Sequence, residues 1–352
     1  MLSQYQLGQL YAGLRRAVRS RRWPEASHLL AQALGMELPG QPTEAEIAAA
    51  AGSHLVRQLS YRGFKPAELT MVVADLKPVV KLEDIPIEQA RRFAARTSAG
   101  RKVVIGEAYR KDYLLLRSDP CSPDDPNALV CVFVSAGEQA AELAKLENTA
   151  REDAQTAGQL LGFPKCCVDA FCADFERSRI DQDTINDDAV RRMLAEAAPP
   201  NFAPWKLNPL ADGELLGFFP CRANCPEALL RADRVIAAME GLRPDELERI
   251  HRRLNRPAIF WRLPFFAVTR GVWRGPVLYL RELRVNAFAD REVRAAQALL
   301  AAHLTSWLQP GCGISVEDGQ LVRWRGDRRD GRLAANPGSA PLLCGWREDP
   351  AP

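Results

Sequence analysis

The chain has 352 residues, 47% of them hydrophobic and 26% charged, proportions that allow a sizeable buried core and exclude both disorder and a fibrous repeat. Its formal net charge of +3 is too small to argue for a nucleic-acid partner, and the excess of arginine over lysine beside abundant alanine fits a GC-rich bacterial genome. The longest apolar run, Pro257 to Val268, is broken by Arg262 and falls well short of the roughly 20 residues that span a bilayer.

No apolar segment with a small-residue cleavage site follows Met1, so the expected location is cytoplasmic and the nine cysteines are expected to stay reduced. Nine is odd, which a pure disulfide framework does not produce. Arg15, Arg16, Arg19, Arg21 and Arg22 precede the first acidic residue, Glu25. That pattern is shared by mitochondrial presequences and by basic-faced surface helices.

In chain order, apolar residues at helical spacing predict a helical pair over 3–20 and 24–34. Thr43-Glu44-Ala45-Glu46 is a capping box opening a third helix through Leu59, and another helix is predicted from Pro86 to Arg96. The apolar stretch Leu69 to Ala74 is ambiguous between helix and strand. From Lys102 the texture changes to short β-rich runs, 103–105, 113–116 and 128–134, which read as a small sheet. One long helix is predicted from Gly137 to Leu161, where Gly162 can end it and Pro164 can begin the next. Asp181 to Ala197 reads as a helix whose acidic residues, with Asp174 and Glu176 before them, form a solvated face. Residues 199–205 read as an irregular arm, and Glu227 to Glu240 as a helix stopped at Gly241. Strands over 258–268 and 277–283, a helix over 290–308 and a hairpin turning at Asp318-Gly319 follow. The glycine- and proline-rich tail after Arg328 is expected to order weakly.

The chemistry is concentrated in two cysteine clusters, Cys166-Cys167 and Cys221-x3-Cys225-Pro226, each placed at the start of a helix where free N–H groups and the helix dipole favour thiolates. Adjacent side chains on a helix diverge by about 100°. The doublet therefore fits separate irons of a cluster more easily than one tetrahedral ion, and Cys-x3-Cys-Pro matches the end of a bacterial ferredoxin motif. A redox-active vicinal pair, with Cys221 and Cys225 as resolving thiols, is a further reading, although the usual Cys-x-x-Cys spacing is absent. Cys172 reads as a core residue, a fifth ligand or a working thiol; Cys121, Cys131, Cys312 and Cys344 read as structural. His28, His54, His251 and His303 form no ligand pair, and no Walker, Rossmann, zincin or serine-hydrolase motif is present. Lys206 and Asn208, beside Trp205 in the arm, are either substrate contacts or neighbours of a packed tryptophan.

Across Leu161-Gly162-Phe163-Pro164-Lys165-Cys166-Cys167-Val168-Asp169-Ala170-Phe171 and Pro220-Cys221-Arg222-Ala223-Asn224-Cys225 the chain resembles a prokaryotic family known as domain of unknown function four-eight-three. The resemblance spans roughly 132–240 and implies that both clusters belong to one unit. It carries no activity with it.

The reading is an α+β protein: a mainly helical part over 1–100, a cysteine-bearing α/β domain with a small sheet over 101–241, a smaller α+β part over 242–335 and a tail over 336–352. Cys166, Cys167, Cys221 and Cys225 are the candidate metal and cofactor ligands, with a 4Fe–4S cluster as the favoured cofactor and zinc as the alternative. Four-cysteine ligation would make the role electron transfer or structural, whereas three-cysteine ligation would leave an open iron for redox, lyase or sulfur-transfer chemistry on a small molecule, and the enzyme is the reading favoured for a chain this large. The non-enzymatic alternatives are a zinc-stabilised interaction module and a thiol-based redox sensor. A small-molecule substrate or an electron-transfer partner is expected, with no membrane partner.

Overall fold

The helices at the amino terminus form where apolar spacing demands them. In the computed structural model, which describes residues 4–53, 56–57, 64–97, 100–113, 117–149, 153–177, 185–199, 201–211, 215–286, 290–335 and 340–347, α1 (Gln4–Arg19) buries Leu7 and Leu14, and α2 (Trp23–Leu34) buries Leu30 and Leu34. The capping box is present as read: the Thr43 hydroxyl accepts from the Glu46 N–H, and the Glu46 carboxylate accepts from the Thr43 N–H at 2.7 Å. The helix it opens, α3 (Glu44–Gly52), is shorter than expected, because Gly52 and Ser53 end it and 56–57 form strand β1 (Val56–Arg57). Residues 58 and 59 lie outside the described residues.

The ambiguous stretch is helix α4 (Pro66–Val73), with Pro66 in its first turn. Next comes β2 (Val79–Pro86), a strand in a region expected to be helical. A bulge hides its alternation: Asp84 adopts φ 57° and the register against the partner strand shifts between Leu82 and Ile85. Then follow α5 (Ile87–Thr97), β3 (Lys102–Ile105), β4 (Tyr109–Asp112), β5 (Arg117–Pro120) and β6 (Leu129–Ser135). They form a sheet in the order β2-β6-β4-β5, with β3 also on β6. Of the run expected at 113–116, residues 114–116 lie outside the described residues.

The single helix predicted over 137–161 is two, α6 (Gln139–Thr149) and α7 (Ala154–Leu160), because the Asp153 side chain accepts the Thr156 N–H at 2.9 Å and caps a new start. Helices α8 (Lys165–Arg177) and α9 (Ile185–Glu196) follow; Asp181 and Asp183 lie outside the described residues. The arm contains β7 (Ala203–Pro204) and two 3₁₀ turns, and leads to α10 (Pro226–Leu242) and α11 (Pro244–Leu254).

The strand expected over 258–268 is a hairpin, β8 (Ala258–Arg262) and β9 (Phe265–Arg274). Beyond it lie β10 (Val277–Asn286), α12 (Arg291–Trp307), β11 (Gly313–Glu317), β12 (Gln320–Arg325), β13 (Arg328–Leu333), β14 (Leu342–Cys344) and β15 (Trp346–Arg347). Asp318 and Gly319, both at positive φ, turn β11 into β12 as read. The tail expected to order weakly instead contributes β13 and β14 to a sheet in the order β13-β12-β11-β10-β9-β8-β14, with β1 parallel to β10, while β15 pairs with β7. Cys344 and Trp346 are buried; 336–339 and 348–352 lie outside the described residues.

This eight-stranded sheet is a wall between two cores. Ile259 and Trp261 pack on one face with α1, α2, α3 and α12, whereas Ala258, Phe260, Phe266 and Val268 pack on the other with α4, α10 and α11. The boundaries read at 100 and 241 therefore do not coincide with the division of the core: α1 to β1 join the carboxy-terminal sheet, while α4, β2 and α5 join the central one. Periodicity identifies the apolar face of a helix but not which distant surface covers it. Among the described residues no helix is long and apolar enough to cross a membrane.

Candidate metal centre

Both cysteine clusters lie at helix starts. Helix α7 closes at Gly162, which takes φ 64°, and an added Cβ there would stand 2.8 Å from Pro78. The Pro164 carbonyl accepts from the N–H groups of Cys167 and Val168 at 2.9 and 3.0 Å, so Pro164 caps α8, and Cys166 and Cys167 occupy its first turn. Cys225 is the N-cap of α10 with Pro226 at the first helical position, and its carbonyl accepts from Leu229 at 2.9 Å.

The tertiary fold brings the two clusters to one point. The Cys225 sulfur lies 3.7 Å from those of Cys166 and Cys167, which are 3.9 Å apart, and all four sulfurs, Cys221 included, fall within 4.8 Å of one another. Four thiols so gathered could hold a metal ion. Divergence of neighbouring helical side chains was expected to keep the doublet off a common point. It does not, because adjacent Cα atoms are only about 3.8 Å apart and rotation about each χ1 swings both sulfurs toward α10.

Electrostatics separates three of the thiols. Burial, then the surrounding thiols, pushes Cys221 up to about 12. Burial also drives Cys167 well above the ordinary thiol range, although the Cys221 N–H donates to its sulfur at 3.3 Å. For Cys225 burial is outweighed by the Ala228 amide and the thiols of Cys221, Cys166 and Cys167, and its pKa falls below the usual value. Cys225 is thus the favoured first thiolate, at a helix N-terminus.

A shell of polar side chains fixes the backbone that carries the sulfurs. Arg192 of α9 donates to the Cys221 carbonyl and, at 2.6 and 3.0 Å, to the buried carboxylate of Asp174 on α8. Glu196, one turn later, accepts from the Ala223 N–H at 2.9 Å. Arg231 of α10 donates to the carbonyls of Gly162 and, at 3.0 Å, Leu76. The loops before the two clusters meet at Phe163 and Phe218, whose ring centroids are 4.8 Å apart, and the Lys77 ammonium stands 5.1 Å from the Phe163 ring. Lys77 and Glu68 form a buried ion pair at 3.1 Å beneath Gly217, at φ 70°, where a Cβ would come within 2.0 Å of the Glu68 carboxylate.

None of Glu68, Lys77, Arg192, Glu196 and Arg231 was singled out from sequence. Charged residues read as solvated, and only the fold shows Glu68 and Lys77 buried as a pair and Arg192, Glu196 and Arg231 bonded to backbone carbonyls and an amide. The same applies to Asp174, read as part of a solvated face and found buried beside Arg192.

The remaining candidates lie elsewhere. Cys172, on α8, stands outside the four-sulfur group, and burial raises its pKa. Cys131 sits on β6, its thiol pushed up to about 11 by burial, and the Cys344 thiol faces the Leu194 carbonyl at 3.7 Å. His303 is buried between the Pro39 carbonyl and the Ser27 hydroxyl, and His251 packs edge-on against buried Trp205 at 4.5 Å. Lys206 pairs with Asp233 at 2.5 Å, while Asn208 donates to the Leu254 carbonyl and accepts from the Leu210 N–H. Those bonds tie the arm to its own surroundings and make Trp205 its packed anchor. Compared with models of known families, with curated proteins and with solved structures, the chain matches none.

Proposed function

We propose that Cys166, Cys167, Cys221 and Cys225 hold a single tetrahedral zinc ion that clamps the starts of α8 and α10 together, making this a zinc-stabilised protein. The observation that carries the reading is the sulfur spacing. Four bonds of about 2.3 Å to one tetrahedral ion set the sulfurs about 3.8 Å apart, and three of the pairs measure 3.7, 3.7 and 3.9 Å. The cysteine sulfurs of a four-iron cubane are spread to about 6 Å, beyond the 4.8 Å that bounds the whole group. The spacing therefore favours the alternative that the sequence placed second.

The donor set fits the ion chemically as well. Four thiolates carry four negative charges, and the Cys221 N–H on the Cys167 sulfur, with the N-terminal ends of α8 and α10, offsets part of that charge. A four-sulfur set leaves no coordination position for water or substrate, so zinc bound here supplies folding free energy instead of Lewis-acid chemistry. The chain's own contribution is the shell of Arg192, Glu196 and Arg231, which holds the sulfur-bearing loops in place.

The test is metal and sulfide analysis, with visible absorption, of protein purified without oxygen. One zinc per chain in a colourless protein is expected, and cobalt exchanged for it should give the intense absorption of tetrahedral thiolate coordination. A brown protein with stoichiometric iron and sulfide would overturn the proposal in favour of a cluster.

A further inference from the structure

The whole-chain charge conceals an uneven distribution. Between Arg249 and Arg332 sixteen arginines, and no lysine, face seven acidic residues, so this segment is strongly basic and the remainder of the chain acidic. The fold spreads that segment over α11 and the far strands of the eight-stranded sheet.

One face of this sheet covers the central core at Phe266 and Val268, then runs past it: on β9 the same face continues with Arg270, Val272 and Arg274, all exposed. Strand register places a cross-strand row on that face. Val272 pairs with Tyr279, Tyr279 with Gly313, Gly313 with Trp324, and Trp324 with Arg329, from β9 to β13. Four strand spacings make the row about 19 Å long. Gly313 at its centre leaves room for its neighbours, since a Cβ there would stand 2.6 Å from the Val277 side chain, 3.1 Å from the Trp324 Cβ and 3.2 Å from the Tyr279 ring. Their polar ends are anchored, Tyr279 to the Gly326 carbonyl at 3.0 Å and Trp324 to the Ser315 hydroxyl at 2.8 Å. Each ring carries a guanidinium, Arg274 at 5.0 Å from Tyr279 and Arg329 at 5.4 Å from Trp324.

Cations are in surplus beside the row. Arg270 and Arg284 share a single carboxylate, Glu282, and Arg329 has Glu317. Arg256, at the end of α11, stands close enough to Arg270 and Arg284 that their repulsion adds to burial in lowering its pKa. Rigid aromatic rings interleaved with arginines across an open sheet face are the elements that take unpaired bases and phosphates together: bases stack on rings and guanidinium planes, and phosphates accept from the arginine forks.

From this juxtaposition we infer that the Tyr279–Trp324 face of the eight-stranded sheet, with Arg270, Arg274 and Arg329, binds single-stranded nucleic acid. The surface stands apart from the cysteine centre in its residues, and the inference does not depend on zinc. An acidic peptide could satisfy the charges but gives the two rings nothing to stack on, which makes it the rival outcome.

The test uses the full-length, metal-loaded chain and the fluorescence anisotropy of labelled oligouridylate and oligodeoxythymidylate of about 20 nucleotides, beside a matching duplex and polyglutamate. Both single strands should bind at least about 10-fold more tightly than the duplex and polyglutamate, and a difference between them assigns RNA or DNA as the preferred source. Log affinity should fall linearly with log salt, with a slope near −0.7 for each phosphate neutralised. Arg274→Gln should weaken binding and reduce that slope by about 0.7. Trp324→Leu should weaken binding about 10-fold with the slope unchanged, and Tyr279→Leu is the parallel variant should the first not fold. Arg96→Gln, exposed on α5, should bind as the parent does. Equal affinity for duplex or for polyglutamate, no binding by either single strand, or an effect of Arg96→Gln as large as that of Arg274→Gln would each overturn the inference.

Discussion

Replacing Cys225 by serine is the sharpest perturbation of the proposed zinc centre, because its sulfur is the one that lies 3.7 Å from both members of the doublet and its thiol is the one held below the ordinary pKa. Structural zinc binds with about 10–16 kcal/mol in small domains, so one ligand in four is worth about 3 kcal/mol, or about a hundredfold in zinc affinity. Cys167 and Cys225 belong to one of the two large cores, but the other, formed by α1 to α3, α12 and the opposite face of the sheet, contains none of the four ligands, so Cys225→Ser should still fold. Its thermal midpoint should drop by roughly 5 °C, with the loss confined to metal-loaded protein. Competition against a chromophoric chelator reads the affinity, and scanning calorimetry with and without chelator reads the stability. Cys172→Ser, on α8 with the doublet, lies outside the sulfur group and should change neither. A Cys225→Ser protein that retains zinc with parental affinity, or a Cys172→Ser protein that loses it, would refute the assignment of ligands.

Three further outcomes follow from the surroundings of the centre. Because Cys221 is pushed up to about 12 and Cys167 lies above the ordinary thiol range, both are protonated at pH 7 and must lose protons to bind metal. Titration calorimetry in buffers of different ionisation enthalpy should therefore show at least those two protons released, and zinc affinity should rise by at least about a hundredfold per pH unit near neutrality; a flat pH profile would contradict ligation by these two thiols. Arg192→Ala strips the donor from the Cys221 carbonyl and leaves the Asp174 carboxylate buried without it, which should cost about 3 kcal/mol in urea unfolding and about tenfold in zinc affinity. Lysine at that position should restore little, since it lacks the fork that reaches both partners. Lys77→Met leaves Glu68 buried without its partner and should destabilise by about 3–5 kcal/mol, whereas the Glu68→Leu/Lys77→Met pair should recover most of that loss in the same unfolding assay.

The mixed α+β class, the helix starts at Pro164 and Pro226, the Thr43 capping box and the Asp318-Gly319 turn were all legible in the chain, because each is set by contacts within a few residues. So was the choice of Cys166, Cys167, Cys221 and Cys225 over the other five cysteines as the group to watch, since their spacing places thiols at two helix N-termini. Strand β2 was missed because the bulge at Asp84 breaks its period, and the long helix was over-read because alanine, glutamate and leucine continue past a cap that only Asp153 announces.

What the residue pattern could not carry is distance between segments far apart in sequence. The doublet's convergence on Cys225, and with it the sulfur spacing on which the proposed zinc reading rests, depends on how α8 is laid against α10 by Arg192, Arg231 and the Phe163–Phe218 contact. The covering of α1 to α3 by a sheet more than two hundred residues away is likewise invisible in any local window. Short-range sterics and capping act through neighbours along the chain, whereas burial and coordination are properties of surfaces that meet only after the chain has folded.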